Sequence, residues 1–232
     1  MELSRWLEVV DQLLKQTGWS EAPIPPEFQE REGKAELQLR SSAWVSPAGS
    51  EAKCAYLYGP RAEILNLMIY PRNCLEVPVF AVELILFGQQ PRVAVVDLQP
   101  VQGLAHNPGL RTRLQAEMAP LHAHFSQGLG AGGDLPAWAE EHFTPWAIYS
   151  RPQSMAELPQ IVQACESYLD LWLSRFYPCE KATPSDESAL RRYQQHHVEN
   201  TPGRRFLVTS FGADWTEDYL SRFMYPSERV LR

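Results

Sequence analysis

The connections between the apolar runs in the first half of this chain leave little freedom of topology. Strand-prone segments run from Ala35 to Trp44, Lys53 to Tyr58, Ala62 to Tyr70, Val77 to Phe87 and Arg92 to Leu98. Two of the links between them, Gly59-Pro60-Arg61 and Gly88-Gln89-Gln90-Pro91, are far too short to carry a crossover helix. Neighbouring strands are therefore expected to be antiparallel, and a meander is the simplest order.

Helical periodicity brackets this block. Leu3, Trp6, Leu7, Val10, Leu13 and Leu14 recur at three- and four-residue spacing, which predicts an amphipathic first helix that Gly18 can end. Pro23, Pro25 and Pro26 with the polar stretch to Gly33 read as an exposed loop. After Pro108, the residues Leu110, Leu114, Met118, Leu121 and Phe125 share a face, and Gly128 to Gly133 break the pattern. A longer stripe runs from Met155 to Phe176, and shorter helices are expected over Glu187 to Val198 and Ala213 to Phe223. Strands first and helices later indicate an α+β fold, a three-layer α/β/α sandwich with a central antiparallel sheet. At 232 residues the whole chain, 1–232, is expected to form a single domain.

Several function classes lose support at this point. The net charge is −7, and Lys and Arg are scattered, whereas a nucleic-acid binder needs a concentrated basic face. A negative total still permits a local patch that docks an acidic protein partner. No apolar run approaches the roughly 20 residues that cross a bilayer, and the N-terminus lacks the layout of a secretion signal. A cytoplasmic location is expected, or a plastid stroma if a transit peptide has been removed. Cys54, Cys74, Cys165 and Cys179 form no CxxC pair and read as reduced thiols. His196 and His197 are adjacent and His122 and His124 are two apart, so neither pair supplies a metal skeleton; surface histidines are the simpler reading, and no metal is expected. GxGxxG, P-loop and GxSxG motifs are absent.

One carboxylate stands out. Glu83 lies in the middle of the apolar run VPVFAVELILFG, on the face of Val79, Ala81 and Ile85, while Phe80, Val82 and Leu84 face the other way. Neither face offers it an evident solvated position, and desolvation raises the pKa of a carboxyl. A buried acid poised towards neutrality can give a proton to a substrate that gains electrons. The alternative is a structural carboxylate paired with an arginine. Asn66, in ILNLMIY, shares a face with Ile64 and Met68 and needs partners if buried; its amide can hold a ligand lactam or pyrrole, or satisfy the backbone at a bulge. Arg72 and Arg151 are candidate clamps for ligand carboxylates, or surface arginines.

Together, ILNLMIYPRNCLEVPVFAVELILFG and RVAVVDLQP resemble the paired strands of the ferredoxin-dependent bilin reductases. In that family an LN, a tyrosyl or phenylalanyl proline, a D-x-P and a G-x-D-L precede a VxDxQPL strand. HFTPWAIYSR and FLVTSFGADWTEDYLSRFMYP look like two further family segments, so the resemblance runs from Ala62 to Pro226. It implies a single α/β/α sandwich that binds a linear tetrapyrrole between the sheet and the C-terminal helices. It also implies a monomer with no tightly bound redox cofactor, reduced ferredoxin as the electron donor, and alternating electron and proton transfers through bilin radicals.

By position, the family's proton-donating strand aspartate falls on Glu83 and the D-x-P aspartate on Glu76, a glutamate in each case. The histidine of the phycocyanobilin-forming branch is replaced by Asn66, which points to other branches. A second aspartate, serving A-ring reduction in many relatives, aligns with Thr201, beside a matching Asn200. Its loss argues against A-ring reduction. The element ELILFG resembles the enzymes that reduce the 15,16 methine bridge of biliverdin IXα, so that bilin, or dihydrobiliverdin, is the expected substrate. The alternatives are another open tetrapyrrole, such as a red chlorophyll catabolite, and a bilin-binding protein that has lost its chemistry.

Overall fold

In a computed structural model, which describes residues 2–180 and 187–227, an eight-stranded sheet lies between two helical layers. Five long strands form the centre: β3 (Gln38–Val45), β4 (Glu51–Tyr58), β5 (Ala62–Tyr70), β6 (Val79–Phe87) and β7 (Gln90–Gln99). They pair antiparallel in sequence order, so the short links impose the expected meander. Short strands complete the sheet. β1 (Ser20–Glu21) and β2 (Glu30–Glu32) pair with β3, and β8 (Ile148–Ser150) pairs with β7.

Strand alternation divides the core in two. Leu65, Leu67, Ile69, Phe80, Val82, Leu84, Val96 and Leu98 face one way. They pack beneath α1 (Glu2–Gln16), α3 (Pro108–Phe125) and α4 (Leu158–Leu171). The α1 stripe buries Leu3, Trp6, Val10 and Leu14 there. Each large apolar side chain so buried contributes on the order of 1.5–3 kcal/mol. Trp172, at the start of a π-helical turn after α4, is fully buried and donates its indole N–H to the Pro78 carbonyl at 2.8 Å.

The opposite sheet face carries Ala55, Leu57, Ile64, Met68, Tyr70, Val79 and Ala81. It packs against α5 (Glu187–Asn200), α6 (Arg204–Phe211), α7 (Ala213–Asp218) and the π-helical turn Tyr219–Met224. Among the described residues no helix is long and apolar enough to cross a membrane. Cys54, Cys74 and Cys165 are buried and Cys179 is half-buried, and none of the four is in a disulfide.

Three local expectations give way. The strand expected from Ala35 begins only at Gln38, because Lys34–Glu36 form a tight turn in which Ala35 and Glu36 take φ near 57°. The segment from Pro23 to Gly33 is not wholly loop. It holds a four-residue helix, α2 (Pro26–Gln29), that buries Phe28, and then β2. Such two- and three-residue strands exist only through their pairing with β3, so no periodicity announces them. The third departure is α6, unforeseen because the Pro202-Gly203 break before it and Gly212 after it leave one short helix between turn signals.

Candidate active site

Glu83 and Asn66 are direct cross-strand partners on β6 and β5. Alternation points both towards the C-terminal helices, Asn66 with Ile64 and Met68 and Glu83 with Val79 and Ala81. Above them is a cavity of about 230 Å³. Its floor is Ala55, Leu57, Ile64 and Ile85, and its roof is Leu207, Tyr219, Leu220, Met224 and Tyr225. Phe87, which is 39% exposed, lines the cavity with Pro202 and Phe206 at the end open to solvent.

The polar groups of this cavity form one connected set. The Asn66 side chain lies within reach of the Glu83 carboxyl and of the Tyr225 hydroxyl, and Thr201 lies within reach of the same hydroxyl. The Asn66 carbonyl oxygen Oδ1, by contrast, is buried without a partner. Burial raises the Glu83 pKa above its ordinary value, and the Asn66 hydrogen bond pulls it part of the way back. Burial also raises Tyr219 and Tyr225 far above the usual tyrosine value, so neither is a useful acid near neutrality. Among the described residues that line the cavity, Glu83 is the one carboxyl, and burial shifts it towards holding its proton.

The other site expectations fall elsewhere. Thr201 lines the cavity, but Asn200 does not; its side-chain amide donates to the His196 carbonyl at 2.8 Å. Glu76 is exposed in the connection between β5 and β6. Arg72 is exposed and lines a separate groove of about 840 Å³ at the other end of the strands, with Lys53 and Tyr70. Arg151 is exposed just beyond β8, at the sheet edge. These arginines do not converge on Glu83.

The reading of His197 as a surface residue is corrected. It is buried, its Nδ1 hydrogen-bonds the Tyr193 carbonyl at 3.0 Å, and burial lowers its pKa to about 3. Its ring lies between those of Tyr193, at 4.2 Å, and Tyr225, at 5.5 Å. Tyr193 lies one turn earlier on α5, so the i,i+4 spacing held a hint of this, whereas Tyr225 comes from another element.

Two further buried polar groups lie on β7. Asp97 is fully buried and accepts from the Thr144 amide at 2.9 Å, the Thr144 hydroxyl at 2.6 Å and the Leu98 amide at 2.8 Å. Burial pushes its pKa up to about 7. Its contacts tie the loop before β8 to the sheet. Gln99, two residues on, accepts a hydrogen bond from the Tyr193 hydroxyl. The signal for both was present in AVVDLQP, a polar pair at alternate positions in an apolar strand, as informative in form as the one that singled out Glu83.

An antiparallel sheet with an acid and an amide facing a cavity under C-terminal helices defines the class as an α/β/α sandwich with a candidate acid site on its sheet. Comparison with known proteins identifies that class. The family model of ferredoxin-dependent bilin reductases matches residues 7–226. The chain belongs to this family, enzymes that reduce a linear tetrapyrrole with electrons from ferredoxin. A phycoerythrobilin:ferredoxin oxidoreductase of Gloeobacter violaceus is 28% identical over 89% of this chain and 87% of its own length. A phycocyanobilin:ferredoxin oxidoreductase of Trichodesmium erythraeum is 28% identical over 73% of this chain and 68% of its own. In fold, the chain is similar to phytochromobilin synthase from tomato, solved in complex with biliverdin. The TM-score is 0.84 at 17% identity, over 98% of this chain and 85% of the other.

Proposed function

We propose that this enzyme reduces biliverdin IXα at the 15,16 methine bridge, with Glu83 as proton donor. The carrying observation is the protonatable Glu83 carboxyl, held by Asn66 at the floor of a cavity with otherwise apolar walls. Ferredoxin delivers single electrons, and no tightly bound redox group of the chain's own intervenes. The first electron makes the bilin a radical anion, more basic than the parent, which Glu83 protonates at carbon to a neutral radical; the second electron makes that radical a closed-shell anion, and a second proton completes the dihydro product. Glu83 regains its proton from solvent between the two transfers.

Asn66 fits the same ligand. Its unpartnered Oδ1 asks for an N–H donor, which the pyrrole and lactam rings of a bilin carry. The cavity is smaller than the usual span of roughly 300–1,000 Å³ for drug-sized ligands. It therefore holds the reacting rings, and the rest of the tetrapyrrole extends past Phe87, Pro202 and Phe206. The presence of Thr201 instead of an acid beside the cavity supports reduction at the bridge over the A-ring.

The test is direct. Purified protein is incubated anaerobically with biliverdin IXα and a reduced-ferredoxin system, the spectrum is followed, and products are identified by chromatography. The expected product is 15,16-dihydrobiliverdin. A product reduced elsewhere would refute the assigned position, and no turnover of biliverdin would refute the substrate.

A further inference from the structure

The sequence pattern drew attention to Glu83 and Asn66, but the structure ties their geometry to a third side chain. Tyr225 follows the π-helical turn Tyr219–Met224, and three contacts fix its place. Its amide donates to the Leu220 carbonyl at 2.8 Å. The Tyr70 hydroxyl donates to the carbonyl of Met224 at 2.7 Å, which pins the preceding peptide to β5. Its ring lies at 35° to that of His197, which lies at 35° to that of Tyr193, and Tyr193 is tied to Gln99 on β7. Neutral His197 keeps this stack uncharged.

We propose that Tyr225 is a positioning residue, which holds the Asn66 amide so that its N–H groups serve Glu83 and Tyr225 and its Oδ1 faces the bound substrate. An amide rotates freely about its last side-chain bond unless both ends are constrained. The Asn66 side chain lies between two such constraints, the Glu83 carboxyl and the Tyr225 hydroxyl, and Thr201 reaches that hydroxyl in turn. Without Tyr225 the amide has one anchor, and the carboxyl it steadies has a looser partner. Thr201 thereby acquires a role as the outer support of this hydroxyl. This inference rests on the proposed role of Asn66 and Glu83.

Tyr225→Phe keeps the ring on His197 and removes only the hydroxyl. In the free protein, the Asn66 side-chain amide resonances, assigned by their loss in Asn66→Ala, are expected to shift in Tyr225→Phe and, more weakly, in Thr201→Val. In turnover, kcat should fall roughly tenfold, the size of one lost hydrogen bond, with KM changed less than threefold. The double variant Asn66→Ala/Tyr225→Phe should be no slower than Asn66→Ala alone, since the hydroxyl acts through the amide. Unmoved amide resonances, or effects that multiply in the double variant, would overturn the proposal. The resonance arm needs no substrate, so a failure to reduce biliverdin would count against the assigned function and leave this arm to decide on Tyr225.

Discussion

Replacing Glu83 by Gln removes the proton and little else. The Gln carbonyl can still accept from Asn66, so the cross-strand pair and the cavity volume persist. The other ionisable groups lining the cavity are Tyr219 and Tyr225, whose protons burial makes far harder to release. No lining group can therefore substitute, and the loss should span the usual cost of a positioned acid, about 10²- to 10⁴-fold in rate. That corresponds to a barrier higher by roughly 3–5 kcal/mol. Biliverdin binding should be retained, and under single-electron supply a bilin radical should accumulate or decay without the normal product. The pH profile gives a second reading. Burial raises the Glu83 pKa, so the parental rate should fall as pH rises through that value, and the variant should lack this limb. Stability follows the same sign: a carboxyl with a raised folded pKa contributes less as pH rises, so the variant should gain on the parent at high pH. Glu83→Asp should remain active and probes reach, because only one methylene is lost. The assay is anaerobic turnover of biliverdin IXα with reduced ferredoxin, with absorption spectra and product chromatography. If Glu83→Gln forms the parental product at the parental rate, the proton comes from another source and the reasoning fails.

Three other outcomes test the structure. Asn66→Ala should slow turnover while shifting the melting temperature little, since losing the contacts with Glu83 and Tyr225 is offset by removing a buried, unpartnered Oδ1; a variant that unfolds readily while its folded fraction reacts normally would make Asn66 structural. His197 has its pKa held near 3 by burial, so the stability it confers is present above about 6.5 and is lost as pH falls towards 3. The cost of His197→Phe in chemical denaturation should therefore shrink by up to roughly 1.4 kcal/mol per pH unit below that point, and a pH-independent cost would contradict it. Gly132→Ala would bring a Cβ to 2.5 Å from the Tyr149 ring and 2.7 Å from its carbonyl, so a loss of about 1–3 kcal/mol is expected at the β8 edge; unchanged stability would mean that this approach is looser.

The antiparallel order was legible in the sequence because Gly59-Pro60-Arg61 and Gly88-Gln89 leave no length for a crossover, which is a local steric fact. The face that Asn66 and Glu83 each share with their strand neighbours was legible too, since a strand alternates with period two whatever surrounds it. Their direct pairing was not, because Pro71 to Pro78 is no tight turn and sets no register; packing of the two strand faces decided it. β1, β2 and β8 were hidden for a related reason: short edge strands are defined by the partner's free hydrogen-bonding groups, not by their own pattern. Tyr193, His197 and Tyr225 sit more than a hundred residues from Asn66 in the chain, on segments whose periodicity is unremarkable around them. Sequence alone determines which residues each element presents and on which face. Only the tertiary structure brings the C-terminal helices over β5 and β6, and that long-range packing turns a carboxyl in an apolar strand into an acid with an amide, a hydroxyl and a cavity beside it.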